Sequence, residues 1–169
     1  MNFDRIYDGI LSTPVNPKDL ALGELLWGAT RGTIYGGAFF SILFVFGMGY
    51  HWGILLIFPL LFIIGFMFAT IGLMFTSLIK EIELFNYFFT LFLTPLFLFS
   101  GIFFPMSQLP QIIQIIAWFT PLYHGVELSR GIFNQVWSID LLHHFIWILA
   151  LTLLNTWLVL RKIHKRLYQ

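Results

Sequence analysis

Cysteine is absent from the 169 residues, which excludes a disulfide framework, a thiol nucleophile and a thiolate metal site. Charge is nearly absent as well. Charged residues make up 10% of the chain, against roughly one quarter in a soluble globular domain. With a formal net charge of +1 there is no concentrated basic face, and a nucleic-acid partner is excluded on that ground. The pattern of a cleaved signal peptide is also missing, because Asp4, Arg5 and Asp8 come before any apolar run. Targeting is expected to reside in the apolar segments themselves.

The motifs of catalysis are missing too. No G-x-x-x-x-G-K-[ST] is found, so ATP is not bound through a P-loop of this chain. Neither H-E-x-x-H nor G-x-S-x-G occurs, and no paired catalytic groups lie at a common depth. An enzyme is not expected, nor is a cofactor. Asp140, His143 and His144, at i, i+3 and i+4, could face one ion, but no fourth ligand is near and polar residues at such a place mark an interface. No metal is expected there. The most informative gap concerns depth: no carboxylate, lysine or arginine falls in the middle of any run expected to cross a bilayer. Ion-coupled carriers use such a group to bind a proton or cation near the midplane. The energy for any transport is therefore expected from outside this chain.

What the chain has in abundance is apolar surface, with 59% hydrophobic residues. A soluble protein of this size could not bury that much, so the solvent is expected to be lipid. Phe3, Ile6, Tyr7, Ile10 and Leu11 recur at i, i+3, i+4, i+7 and i+8, one stripe of a short amphipathic helix. Asn16, Pro17 and Asp19 then supply an N-cap, a first helical position and a first-turn acid. The helix starting there is expected to reach about residue 49. Along it, Arg31 reads as a side chain snorkelling to head groups or as a polar contact inside a bundle, and Gly32 and Gly36 give a spacing that admits a close neighbour helix. Spans are expected at about 26–49, 54–78, 84–104 and 139–160, followed by a basic tail at 161–169.

Residues 105–134 fit neither a loop nor a span. Pro105, Pro110 and Pro121 each remove a backbone donor and bias the preceding residue away from helix. Yet the stretch stays greasy through Ile112, Ile113, Ile115, Ile116, Trp118 and Phe119 before reaching Glu127 and Arg130. It reads as short helices that enter the membrane and return to the same side, which is tolerated only against protein or a wet cavity. Glu127 and Arg130, at i and i+3, are expected to pair, or, with Tyr123 and His124, to line the exit of a path. With four spans both termini share one side, and the basic residues of that side place it in the cytosol.

Three segments taken together resemble a known family. The order YDGILSTPVNPKDLALGELLWGATRG, then long spans, LTPLFLFSGIFFPMSQLP and finally WFTPLYHGVELSRG is similar to the ABC type-2 exporter permeases. Within them it is most similar to the nodulation-factor exporter permeases and related bacterial drug and polysaccharide exporters. Ser100, Gly101, Phe104, Pro105, Leu109, Pro110 and the run from Pro121 to Gly131 are its most specific parts. The resemblance implies an all-α polytopic membrane protein forming one permease domain over 1–169. It implies a cytosolic coupling region at 1–19, in which Phe3, Ile6, Tyr7, Ile10, Leu11, Pro14 and Asp19 dock on a separate ABC ATPase subunit carrying the ATP and Mg. It further implies an external re-entrant gate at Pro105, Pro110, Pro121, Tyr123, Glu127 and Arg130. The chain would work as a homodimer or with a second permease half in the bacterial inner membrane, N-in and C-in. The cargo would be a lipid, a glycolipid or polysaccharide, or an amphipathic drug.

Members of that family have six spans, two of them before the coupling region, and this chain starts inside that region. A truncated or split permease is the corresponding expectation. A non-transporting membrane scaffold or degenerate remnant is the alternative.

Overall fold

The computed structural model describes residues 16–48, 51–79, 84–104 and 106–167; among them all regular structure is helical. Helix α1 spans Pro17–Val45 and starts where the proline permits, with Asp19 in its first turn. The expected cap differs in one respect. The Asn16 side chain donates to the Asp19 carboxylate at 3.2 Å and makes no cap to a backbone N–H; only the Asn16 carbonyl enters the helix, accepting from Asp19 and Leu20. The helix ends at Val45, short of residue 49, because Gly47 takes a left-handed φ of 81°. The N–H of Gly47 then reaches the Phe44 carbonyl and that of Met48 the Leu43 carbonyl, a Schellman closure.

A 3₁₀ turn at Trp52–Leu56 leads into α2, Ile57–Thr76. Helices α1 and α2 run antiparallel along a seam of small residues, with Gly28 against Ala69, Gly32 against Gly65 and Gly36 against Leu61. A Cβ on Gly65 would stand 3.1 Å from the Ala29 Cα, so close that the α1 backbone would have to give way to any larger residue. Gly65→Val is therefore expected to part the two helices at a cost of about 1–3 kcal/mol, read as a lower unfolding midpoint in mild detergent. A midpoint equal to that of the parent chain would mean that the seam is not tight.

Helix α3, Leu84–Leu98, corrects one expectation. The apolar run to Phe104 does not continue as helix. Pro95 cannot donate to a preceding carbonyl, and the turns before it, Phe88–Leu93, widen to π geometry. The Thr94 hydroxyl donates to the Phe89 carbonyl, five residues back. After Leu98 the chain turns at Gly101, where φ is +82°. The fifteen residues of α3 reach about 22 Å at about 1.5 Å each, short of a roughly 30 Å hydrocarbon core.

A 3₁₀ turn at Met106–Gln108 precedes α4, Gln111–Trp118, and α5, Pro121–Phe133. Helix α6, Ile139–Leu167, continues into the basic tail. Among the described residues, Trp52–Thr76 and Ile139–Lys162 are long and apolar enough to cross a membrane. Helix α1 falls outside that pair, being diluted by Arg31 and several glycines, and α3 is too short; length and composition thus support two of the four expected crossings.

The core lies where α2, α5 and α6 meet, formed by Ile57, Leu60, Met67, Leu128, Ile132 and Ile148. Phe39, Val45, Trp52, Leu91, Phe103 and Ile139 all lie exposed on the outer surface, the arrangement expected when lipid rather than water is the surroundings. Arg31 is exposed as well, with its guanidinium 5.9 Å from the centre of the Tyr35 ring. Lys18, Met74 and the Trp157–Lys162 turn line one cavity at one end of the bundle. At the other end His51 bonds the Phe133 carbonyl at 3.1 Å and Gly53 meets Trp137.

Candidate functional site

The helix pair α4–α5 is built by its prolines. Pro110 is extended, with ψ of 145°, and releases α4, while Thr120 is extended before Pro121 opens α5. The Gln114 amide donates back to the Leu109 carbonyl at 2.8 Å, closing the first turn of α4 onto its own entry. One face of α5, carrying His124, Gly125, Leu128, Gly131 and Ile132, is buried. Gly125 abuts Ile64 in the middle of α2, and Gly131 abuts Leu141 in the first turn of α6. Helix α5 therefore starts deep beside α2 and returns toward the end where α6 begins.

On its other face the expected ion pair forms: Arg130 Nη1 donates to Glu127 Oε1 at 3.0 Å. Half-exposed, the pair contributes little stability by itself. Arg130 Nη2 also donates to the Gly101 carbonyl, tying α5 to the turn that ends α3. That second bond is charge-assisted and reaches across 29 positions of sequence, so it fixes α5 to the turn that follows its neighbour helix.

The centre of the site is His124, which is 1% exposed. Its Nε2 lies 2.6 Å from the Trp118 carbonyl and its Nδ1 lies 2.6 Å from Nδ1 of His144. A carbonyl only accepts, so Nε2 of His124 carries the hydrogen and donates; in the neutral ring Nδ1 is then bare and accepts from the Nδ1–H of His144. The His124 ring stacks on Trp147 at 4.2 Å and 21°, with Trp118 and Tyr123 edge-on. One imidazole thus joins α4, α5 and α6. Burial holds His124 below the ordinary imidazole value; its bond to the Trp118 carbonyl opposes this, and the nearby His144 reinforces it. Burial pushes the Tyr123 phenol up, the Glu127 carboxylate adds to the rise, and Arg130 opposes it.

Outside this joint, Met106, Gln111, Gln114, Ile115, Trp118 and Tyr123 border a cavity of about 380 Å³. Of the expected gate residues, Pro110 and Pro121 start the two helices, and Tyr123, Glu127 and Arg130 come together on α5; Pro105 lies outside the described residues. Asp19 is in the exposed first turn of α1, whereas Phe3, Ile6, Tyr7, Ile10, Leu11 and Pro14 lie outside the described residues. Among the described residues no group of three His, Asp or Glu side chains is placed to hold a metal, and His144 turns to His124 instead. The pairing of His124 with His144 was missed in the sequence. Its available signal was two polar rings in apolar surroundings, each of which needs a partner.

Comparison with known proteins follows the same residues. The model of the family described as ABC-2 type transporter matches residues 2–134, a range that ends with α5 and leaves α6 outside. Nodulation protein J of Sinorhizobium fredii NGR234 is 35% identical over 130 residues, 77% of this chain and 50% of that protein. Nodulation protein J of Rhizobium leguminosarum bv. trifolii is 31% identical over 144 residues, 85% and 55% of the respective chains, and that of Rhizobium meliloti is 32% identical over 132 residues, 78% and 50%. The chain spans about half the length of these curated relatives. No solved structure matches it. With a family match that runs from the second residue through both helices of the candidate site, the chain belongs to the ABC-2 type transporter family.

Proposed function

We propose that this chain is a permease subunit of an ATP-driven exporter, moving a lipid, glycolipid, polysaccharide or amphipathic drug outward across the bacterial inner membrane. The observation that carries the reading is the family match over residues 2–134, which contains the α4–α5 pair. In this reading the end bearing Lys18 and Arg161 faces the cytosol, and the end bearing His51 and Trp137 faces outward. Helices α4 and α5 form a re-entrant pair that constricts the exit, held to α6 through His124 and to α3 through Arg130. The absence of an ionisable group at mid-span means that conformational work comes from an ABC ATPase on the cytosolic side. A second permease half, identical or related, completes the path.

The ATPase is expected to engage the stripe of Phe3, Ile6, Tyr7, Ile10 and Leu11. Apolar side chains seated in a partner's groove transmit displacement because packed interfaces are stiff. Ile10→Asp would then place a charge in the socket at a cost of about 2 kcal/mol or more, enough to weaken association more than about tenfold. Purification in mild detergent checks this, with glycosylation mapping to show that membrane insertion is unchanged. Full ATPase recovery with the variant counts against the stripe as the handle. Recovery of the parent chain with no P-loop ATPase at all favours a scaffold.

A further inference from the structure

The cytosolic end of the bundle, as read above, carries a feature that neither the gate nor the coupling stripe uses. Lys18 from the start of α1 and Arg161 and Lys162 from α6 border a cavity of about 700 Å³ whose other lining residues are Met74, Trp157, Leu158 and Leu160. Among the described residues no carboxylate lines it. The Arg161 guanidinium lies 3.8 Å from the centre of the Trp157 ring. Its face is therefore satisfied by the indole, which leaves the in-plane N–H direction as the one from which an oxygen acceptor can approach.

We propose that this cavity binds an anionic glycerophospholipid of the surrounding leaflet, its phosphate among Lys18, Arg161 and Lys162 and the first carbons of its acyl chains on Met74, Leu158 and Leu160. Three cations held around one opening repel one another, and the negative charge of a phosphate diester relieves part of that repulsion while accepting charge-assisted hydrogen bonds. The apolar remainder of the lining selects an amphiphile over a free anion, since inorganic phosphate would leave that surface wet. Position agrees. Arg161 and Lys162 follow the last apolar turns of α6, and an indole beside them is the side chain that suits the head-group level. The cavity is also of ligand size, within the roughly 300–1,000 Å³ of small-molecule sites. The inference rests on the cytosolic placement of this end and on the chain lying in a membrane, but not on what is exported.

The test is native mass spectrometry of the 169-residue chain, stripped of lipid in detergent and then offered phosphatidylglycerol, phosphatidylcholine or inorganic phosphate. Phosphatidylglycerol adducts are expected at no less than fivefold the occupancy of phosphatidylcholine, with inorganic phosphate neither binding nor displacing them. A triple variant, Lys18→Gln with Arg161→Gln and Lys162→Gln, should lose that preference, whereas the charge-preserving Lys18→Arg, Arg161→Lys and Lys162→Arg variant should keep it. Far-UV circular dichroism verifies that both remain helical. Phosphatidylglycerol brominated on its acyl chains should quench the parent chain more than the Trp157→Phe variant. Equal retention of the two lipids, an unchanged preference in the glutamine variant, or displacement of the lipid by inorganic phosphate would each overturn the proposal. None of these readouts needs an ATPase or transport, so a failed transport reading and a failed lipid site are told apart.

Discussion

His124→Ala is expected to be the most damaging single substitution among the described residues, lowering unfolding free energy by about 3–5 kcal/mol. Two losses combine. Removing a ring that is 1% exposed and stacked on Trp147 leaves a cavity in a region where α4, α5 and α6 converge, and large-to-small changes of this kind cost about 2–5 kcal/mol. The Trp118 carbonyl also loses its donor and Nδ1 of His144 its acceptor, and a stranded buried group costs about 1–3 kcal/mol. His124→Phe separates the two, because it keeps an aromatic ring against Trp147 while removing both hydrogen bonds. It should fall between the parent and the alanine variant. Denaturant unfolding in mild detergent, followed by tryptophan fluorescence, measures all three. A phenylalanine variant as stable as the parent would show that the two short hydrogen bonds contribute nothing net.

Why that joint could not be read from the sequence is a matter of range. Local signals carried well: Asn16 and Pro17 announced the start of α1, Pro110 and Pro121 the starts of α4 and α5, and the spacing of Glu127 and Arg130 their ion pair at 3.0 Å. Each depends on residues within one turn of helix. His124 and His144 stand 20 positions apart on different helices, and periodicity within one segment holds no information about a ring on another. The bond from Arg130 to the Gly101 carbonyl is hidden for the same reason. Hydropathy misjudged α3 through a different blindness. It counts Ile102, Phe103 and Phe104 as a continuation of the apolar run, yet it does not register that Gly101 takes a left-handed φ or that Pro95 disturbs the turns before it.

The small-residue seam shows the intermediate case. Gly32 and Gly36 suggested a close neighbour, and α2 does lie there, with a Cβ on Gly32 only 3.4 Å from the Gly65 Cα. What spacing alone did not name was the partner. Two antiparallel helices joined by a short turn satisfy it most directly, and Gly65 and Ala69 on α2 complete the seam. The link from sequence to packing is legible when both partners are consecutive in the chain and lost when they are not.

Acidification is expected to loosen α5 from α6, and the sign follows from His124. Burial holds its pKa below the ordinary imidazole value, so the unfolded chain binds the proton more readily than the folded one. Stability is then complete above that ordinary value and falls as pH drops below it toward the depressed folded value. The structural reason is that a proton on Nδ1 of His124 meets the Nδ1–H of His144 at 2.6 Å, so the contact survives only if His144 moves its own hydrogen to Nε2. The other titratable groups near the pair are Tyr123, Glu127 and Arg130 on α5 and Asp140 and His143 on α6. Unfolding midpoints of the parent chain should therefore decline from about pH 7 to about pH 5. His144→Asn, whose amide still offers a donor to Nδ1 of His124, should keep the decline, whereas His124→Phe should flatten it. If His124→Phe declines as steeply as the parent, the response belongs to Glu127, Asp140 or the remaining histidines, and the joint between α5 and α6 is indifferent to protons.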